Sequence, residues 1–157
     1  MFSQYFTLSR MVKKYVNIKF RFGQGNESAS AYLEFINKYS DVKASKIEDL
    51  SSCVHYITLM NKMEPGAINT ETMKTERVAN AMERQRAWRS NWKLLQKCFN
   101  ERQVDSPIDL IVEEASRGKI TDNLHFVQWF KPFYLRNTRE DDPNAPKRIR
   151  SKRTFNT

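Results

Sequence analysis

Glycine is scarce in this sequence, with four residues among 157. Gly23 and Gly25 lie close together, while Gly66 and Gly118 stand alone. Phosphate-cradling loops need several glycines in a short stretch, because only a residue without Cβ lets the backbone approach the ligand that closely. A P-loop or a dinucleotide fingerprint is therefore excluded. His-Glu-x-x-His, Gly-x-Ser-x-Gly and Cys-x-x-Cys are missing as well. The expectation is a chain that is not an enzyme, with no catalytic residue, cofactor, metal or small-molecule substrate. Long apolar runs are lacking too. No stretch reaches 18 consecutive apolar residues, so a bilayer span is excluded. Phe2 stands where myristoylation requires glycine, and there is no C-terminal prenylation cysteine.

Cysteine is limited to Cys53 and Cys98, each inside a helix-like pattern, which reads as buried free thiols in a reducing compartment. A zinc site built from these two with His55 and His125 is disfavoured, because the close-set ligand pairs of structural zinc sites are missing. Acidic residues are absent from positions 1–26, which carry five basic groups. Residues 138–157 hold six basic groups against three acidic, and 27–137 hold 16 against 15. The net charge of +9 thus resides mostly at the two ends. Such ends suit an anionic polymer or surface.

What is present is a helical domain. Aromatic content of 12% supports a compact core, although the 39% hydrophobic fraction implies that part of the chain is not packed. Residues 1–26 read as an N-terminal arm, in which Val16, Ile18, Phe20 and Phe22 alternate with Asn17, Lys19 and Arg21 as in an extended strand. From Ser28, a plausible N-cap beside Ser30, the period becomes helical through Leu33, Ile36 and Tyr39. Ser45-Lys46-Ile47-Glu48 has the form of a capping box opening a helix with Ile47, Leu50, Val54, Ile57 and Met60 inward, closed by Pro65-Gly66. A long helix is expected over about Glu76 to Arg102. It carries Trp88, Trp92, Leu95 and Phe99 on one side and Arg86, Arg89, Lys93 and Lys97 on the other. Ser106-Pro107 should start a short helix with Pro107 at its first position, buried through Leu110, Ile111 and Val112. The last helix should start at Asp122 or Asn123 and be kinked or stopped by Pro132. Residues 138–157 read as a disordered tail ending in a basic run at 147–153.

Several stretches resemble the calponin-homology domain of the end-binding (EB) family of microtubule plus-end proteins. They are KIEDL at 46–50, Tyr56, Met60, Pro65-Gly66 with Ile68, NWKLLQ at 91–96, RGK at 117–119 and DNLHFVQWFKPFY at 122–134. The likeness runs from about residue 32 to 68 and from 88 to 134, about two thirds of the chain, with small insertions at 69–87 and 105–116. Val16-Asn17-Ile18 also looks like the beginning of a family member, which makes Met11 an alternative start.

The resemblance implies an all-α calponin-homology fold over 27–137, a compact multi-helix bundle with flexible basic tails, centred on Trp92, Phe126, Trp129 and Phe130. It implies binding of microtubules in the groove between protofilaments, plus-end tracking, and a place on the cytoskeleton in the cytoplasm during cell division. Tubulin's acidic surface calls for cations on one face. By position, Lys93 matches the family's lysine, and Arg117 and Lys119 match its basic-Gly-basic turn. Arg89 belongs to the same cationic stripe as Lys93, and Lys74, Arg77 and Arg84 are candidates to replace a lysine pair absent after Pro65-Gly66. A basic residue is also missing at Ser106 and near Ala29 or Ser30. Since no heptads follow Tyr134, the expectation is a monomer weaker than full-length relatives, lacking the roughly 10²–10⁴-fold gain of paired heads. The alternatives are a calponin-homology adaptor that binds another protein, or nucleic-acid binding through the basic ends. The run at 147–153 would also suit nuclear entry.

Overall fold

The computed structural model describes residues 14–19, 27–75 and 80–138. Most of the expected arm (1–13 and 20–26), Arg77 and the tail beyond Thr138 lie outside the described residues. Five α-helices and two short 3-10 helices account for the regular structure, and no strand occurs among the described residues, in keeping with an all-α fold. The helices are α1 (Ala29–Tyr39), α2 (Val54–Met63), α3 (Ala81–Glu101), α4 (Ile108–Ser116) and α5 (Ile120–Thr138), with 3-10 helices at Ile47–Ser52 and Thr70–Thr72. α5 packs against α1, α2, α4 and the first 3-10 helix, while α3 lies across α4 and that same 3-10 helix.

Aromatic side chains of α5 explain its central place. Phe126, Trp129, Phe130 and Phe133 are fully buried, as are Tyr56 of α2 and Trp92 of α3. Phe126 meets Trp92 edge-on at 4.9 Å and Tyr56 at 4.7 Å, and Trp129 stacks on Phe133 at 4.6 Å. Burying each such side chain contributes about 1.5–3 kcal/mol. This sum is why Pro132 does not end α5 early. A proline inside a helix costs about 3 kcal/mol. The buried Phe126, Trp129 and Phe130 before it, with Phe133 and Tyr134 after it, outweigh that cost, and the helix continues to Thr138.

Local details correct the sequence reading elsewhere. The expected second helix is divided: a 3-10 segment ends at Cys53, whose φ of 68° is left-handed, and α2 follows. Asp49, not Glu48, reaches back at the start, because the N-cap is Lys46 and not Ser45, which puts Asp49 three residues beyond it. Its Oδ2 accepts the Ser45 N–H (2.8 Å), the Ser45 hydroxyl (2.9 Å) and the Lys46 N–H (3.2 Å). Burial opposes ionisation of Asp49, but these bonds outweigh it and hold the carboxyl below its ordinary range. α3 begins at Ala81, capped by the Asn80 side chain, and the expected start at Glu76 lies outside the described residues. Pro107 is the N-cap of α4 and not its first residue, and Leu110 is 73% exposed because it falls on the face of α4 opposite Ile111 and Val112. α5 starts two residues before Asp122, at Ile120.

Residues 14–19 run extended along the body. Tyr15 stacks on Phe133 at 5.6 Å and donates its hydroxyl to Glu64 at 2.9 Å, and Glu64 is bridged by both Nε and Nη2 of Arg102. The Val16 N–H and carbonyl both bond to the Asn137 side chain, at 2.7 and 3.0 Å. Asn17 accepts the Asp105 N–H at 2.7 Å, and the Trp129 indole donates to the Ile18 carbonyl at 3.3 Å. Tyr15 and Ile18 pack on the core, whereas Val16, expected on the Ile18 side, is exposed.

Candidate functional site

The basic residues singled out from sequence sit on three elements: Lys74 in the segment before α3, Arg89 and Lys93 on α3, and Arg117 and Lys119 in the turn joining α4 to α5. All five side chains are exposed. Their surroundings differ, and the difference arises from which buried groups hold each backbone.

Gly118 makes the α4–α5 turn. It adopts φ of +93°, which an L-residue with a side chain rarely tolerates, and so reverses the chain between two cations. The Gly118 N–H donates to Ala115, and the Arg117 and Lys119 N–H groups both donate to the Glu114 carbonyl. Asn123 of α5, fully buried, fastens this turn from beneath. Its Nδ2 lies 2.8 Å from the Lys119 carbonyl, 3.1 Å from the Ala115 carbonyl and 3.1 Å from Ser51 Oγ.

A second buried asparagine does the same for Lys74. Asn91 of α3 accepts the Lys74 N–H and donates to the Lys74 carbonyl, both at 2.8 Å, and donates to Ser52 at 2.9 Å. The neighbouring Trp92 indole donates to the Ser51 carbonyl at 2.9 Å. Lys74 and Lys119 are therefore both tied to the Ser51–Ser52 end of the first 3-10 helix, by way of two asparagines. The roles of Asn91 and Asn123 were not read from sequence, although each lies inside a quoted motif. A lone polar residue in an aromatic-rich helix stripe was the available signal.

Between these elements opens a cleft of about 630 Å³, lined by Lys46, Ser51, Met82, Arg84, Trp88 and Arg117 among others. Trp88, expected in the core beside Trp92, is instead only half-buried at this cleft, with the Arg84 guanidinium 5.7 Å from its ring centre. It lies a turn closer to the helix start than Trp92, where α3 has run past the end of the core.

Arg89 and Lys93 stand elsewhere. At about 100° per residue, each is roughly 200° around α3 from Asn91, on the flank that faces α4. Arg89 donates to Glu113 of α4 at 2.6 Å, and one turn beyond Lys93 the Gln96 amide bonds to Asp109 of the same helix. Arg117 pairs with Glu114 at 3.3 Å. Lys74, Lys93 and Lys119 make no ion pair among the described residues. The five cations thus form two groups rather than one cluster, and two of the five already face a carboxylate.

The two thiols and one imidazole off this face are inert by burial. Burial raises the Cys53 thiol well above its ordinary range and pushes Cys98 up to about 11. Burial likewise lowers His55, whose Nε2 lies 3.2 Å from the Lys43 carbonyl and whose Nδ1 has no partner among the described residues. Among the described residues no helix is long and apolar enough to cross a membrane.

Compared with known proteins, the chain is similar to End-binding protein 1 of Giardia intestinalis. They are 32% identical over 105 residues, which is 67% of this chain and 41% of that relative. The chain therefore spans about two fifths of the curated relative it matches. No family model matches.

Proposed function

We propose that this domain is a calponin-homology module of the end-binding family and that it binds the microtubule lattice through its cationic face. The observation that carries the reading is the 105-residue likeness to End-binding protein 1. It is supported by a helical body in which Trp92, Phe126, Trp129 and Phe130, the residues that the family likeness puts at the centre, are all fully buried. Lys93, Arg117 and Lys119, with Lys74 and Arg89, seat against the acidic outer surface of tubulin. Each exposed ion pair contributes about 1 kcal/mol or less, so several act together and salt weakens the contact. Affinity is modest, since Arg89 and Arg117 are shared with Glu113 and Glu114. The activity is non-enzymatic, and the site of action is the cytoskeleton.

Co-sedimentation with polymerised tubulin tests the proposal. Pelleting at low salt that declines at moderate salt is expected, and replacing Lys93, Arg117 and Lys119 together by Glu should abolish it while the helical circular dichroism is kept. Absence of pelleting at low salt would refute lattice binding. Pelleting indifferent to the triple reversal would locate the contact on another surface.

A further inference from the structure

Helix α4 is short and acidic on its outer side, and its carboxylates reach into the cationic face. Glu113 meets Arg89 of α3, Glu114 meets Arg117 at its own C-terminal end, and Asp109 takes the Gln96 amide. We infer that Glu113 and Glu114 act as an internal stand-in for the acidic lattice, occupying two of its arginines and setting how tightly the domain binds. The inference rests on the lattice reading above.

Three features carry it. The pairs are open to solvent: Arg89 and Glu113 are 46% and 48% exposed, and Arg117 and Glu114 are 54% and 43% exposed. Pairs so exposed are weak and exchange readily, so a denser array of carboxylates can take the arginines over. Next, the masking is selective, because Lys74, Lys93 and Lys119 have no carboxylate partner among the described residues while both arginines do. Finally, the masked and unmasked groups alternate. Lys93 follows Arg89 by one helical turn, and Arg117 and Lys119 flank Gly118, so an incoming surface that engages the free lysines is brought beside the occupied arginines. Binding then includes an exchange, in which each arginine leaves a glutamate of α4 for a carboxylate of the polymer. The glutamate left behind repels that polymer. Both effects lower affinity relative to the same face without Glu113 and Glu114.

The experiment compares the full chain carrying Glu113→Gln, Glu114→Gln or both with wild type, by co-sedimentation with polymerised tubulin at low salt. Glu34→Gln is the reference for net charge, because Glu34 is exposed on α1 and makes no ion pair among the described residues. Each single change should tighten binding about two- to fivefold, the double change should exceed either, and Glu34→Gln should have little effect. Wild-type binding that neither α4 variant alters, or an equal gain from Glu34→Gln, would overturn the inference while leaving lattice binding intact. Failure of every protein to pellet would instead remove the lattice reading, and the inference with it. Far-ultraviolet circular dichroism of each variant identifies any that loses its fold. Should one do so, Glu113→Ala and Glu114→Ala provide the second pair.

Discussion

Asn91 holds Lys74 by both of its backbone groups, its Oδ1 accepting the Lys74 N–H and its Nδ2 donating to the Lys74 carbonyl, each at 2.8 Å. The same amide also reaches Ser52, so one fully buried side chain joins α3, the 3-10 helix and the segment between α2 and α3. Replacing it by Leu removes three bonds and strands partly buried backbone groups. Asn91→Leu should lower stability to urea by about 2–4 kcal/mol and weaken lattice binding through Lys74. A loss under about 1 kcal/mol would mean that the segment holds itself in place.

The cations should not be equivalent. Lys119 has no carboxylate partner among the described residues, whereas Arg89 is engaged by Glu113. Lys119→Ala is expected to reduce affinity for polymerised tubulin about three- to fivefold, and Arg89→Ala less than about twofold. Binding isotherms at low salt distinguish this order from its reverse.

Acid should act in two stages. His55 is held below its ordinary pKa by burial, so above the unfolded value both states are neutral and its site costs nothing. As pH falls below that value, the unfolded chain takes up a proton that the folded one does not, and stability declines. Asp49, also depressed, stabilises above its unfolded value, and that contribution is lost as pH falls through its lower folded value. Urea midpoints between pH 8 and pH 3 should show both declines, and only the first should vanish in His55→Gln.

Tyr56 presents the opposite case. Its ring fills the aromatic centre, but its hydroxyl is fully buried with no hydrogen-bond partner among the described residues. Tyr56→Phe removes an unsatisfied group and leaves the ring contacts, so stability should rise by about 1 kcal/mol. A fall in the thermal midpoint would reveal a bound water on that oxygen.

Pro132 is exposed within α5 and has no N–H to give to the preceding turn. Because the helix already continues past it, Pro132→Ala should restore that bond without rearrangement and raise stability by about 1–3 kcal/mol. Thermal unfolding followed at 222 nm checks the sign.

The helices were legible because their apolar residues recur at the helical period: Ile47, Leu50, Val54, Ile57 and Met60, or Trp92, Leu95 and Phe99, needed nothing beyond spacing. Ends and interruptions were less so. Glu48 and Asp49 are both acidic and adjacent, and it is the start of the helix one residue later, with Lys46 as N-cap, that selects the second. For Pro132 the local penalty is visible in the sequence, whereas the tertiary burial that carries the helix past it is not. Leu110 and Trp88 show a related limit, since periodicity assigns a stripe but does not say where the core stops beneath it. For the candidate face, types and order of cations were legible. The pairing of Arg89 with Glu113, 24 residues away, depends on how α3 and α4 lie together and had no signature in the chain.

The two bonds between Val16 and the Asn137 amide bring together points 121 residues apart. Tyr15 and Thr138, each next in sequence to one of the bonded residues, accordingly lie close together. A short peptide would suffice to join those two residues, which makes the described body a natural candidate for circular permutation. Labels attached at Lys14 and Thr138 would, by the same geometry, report from a single location and not from opposite sides.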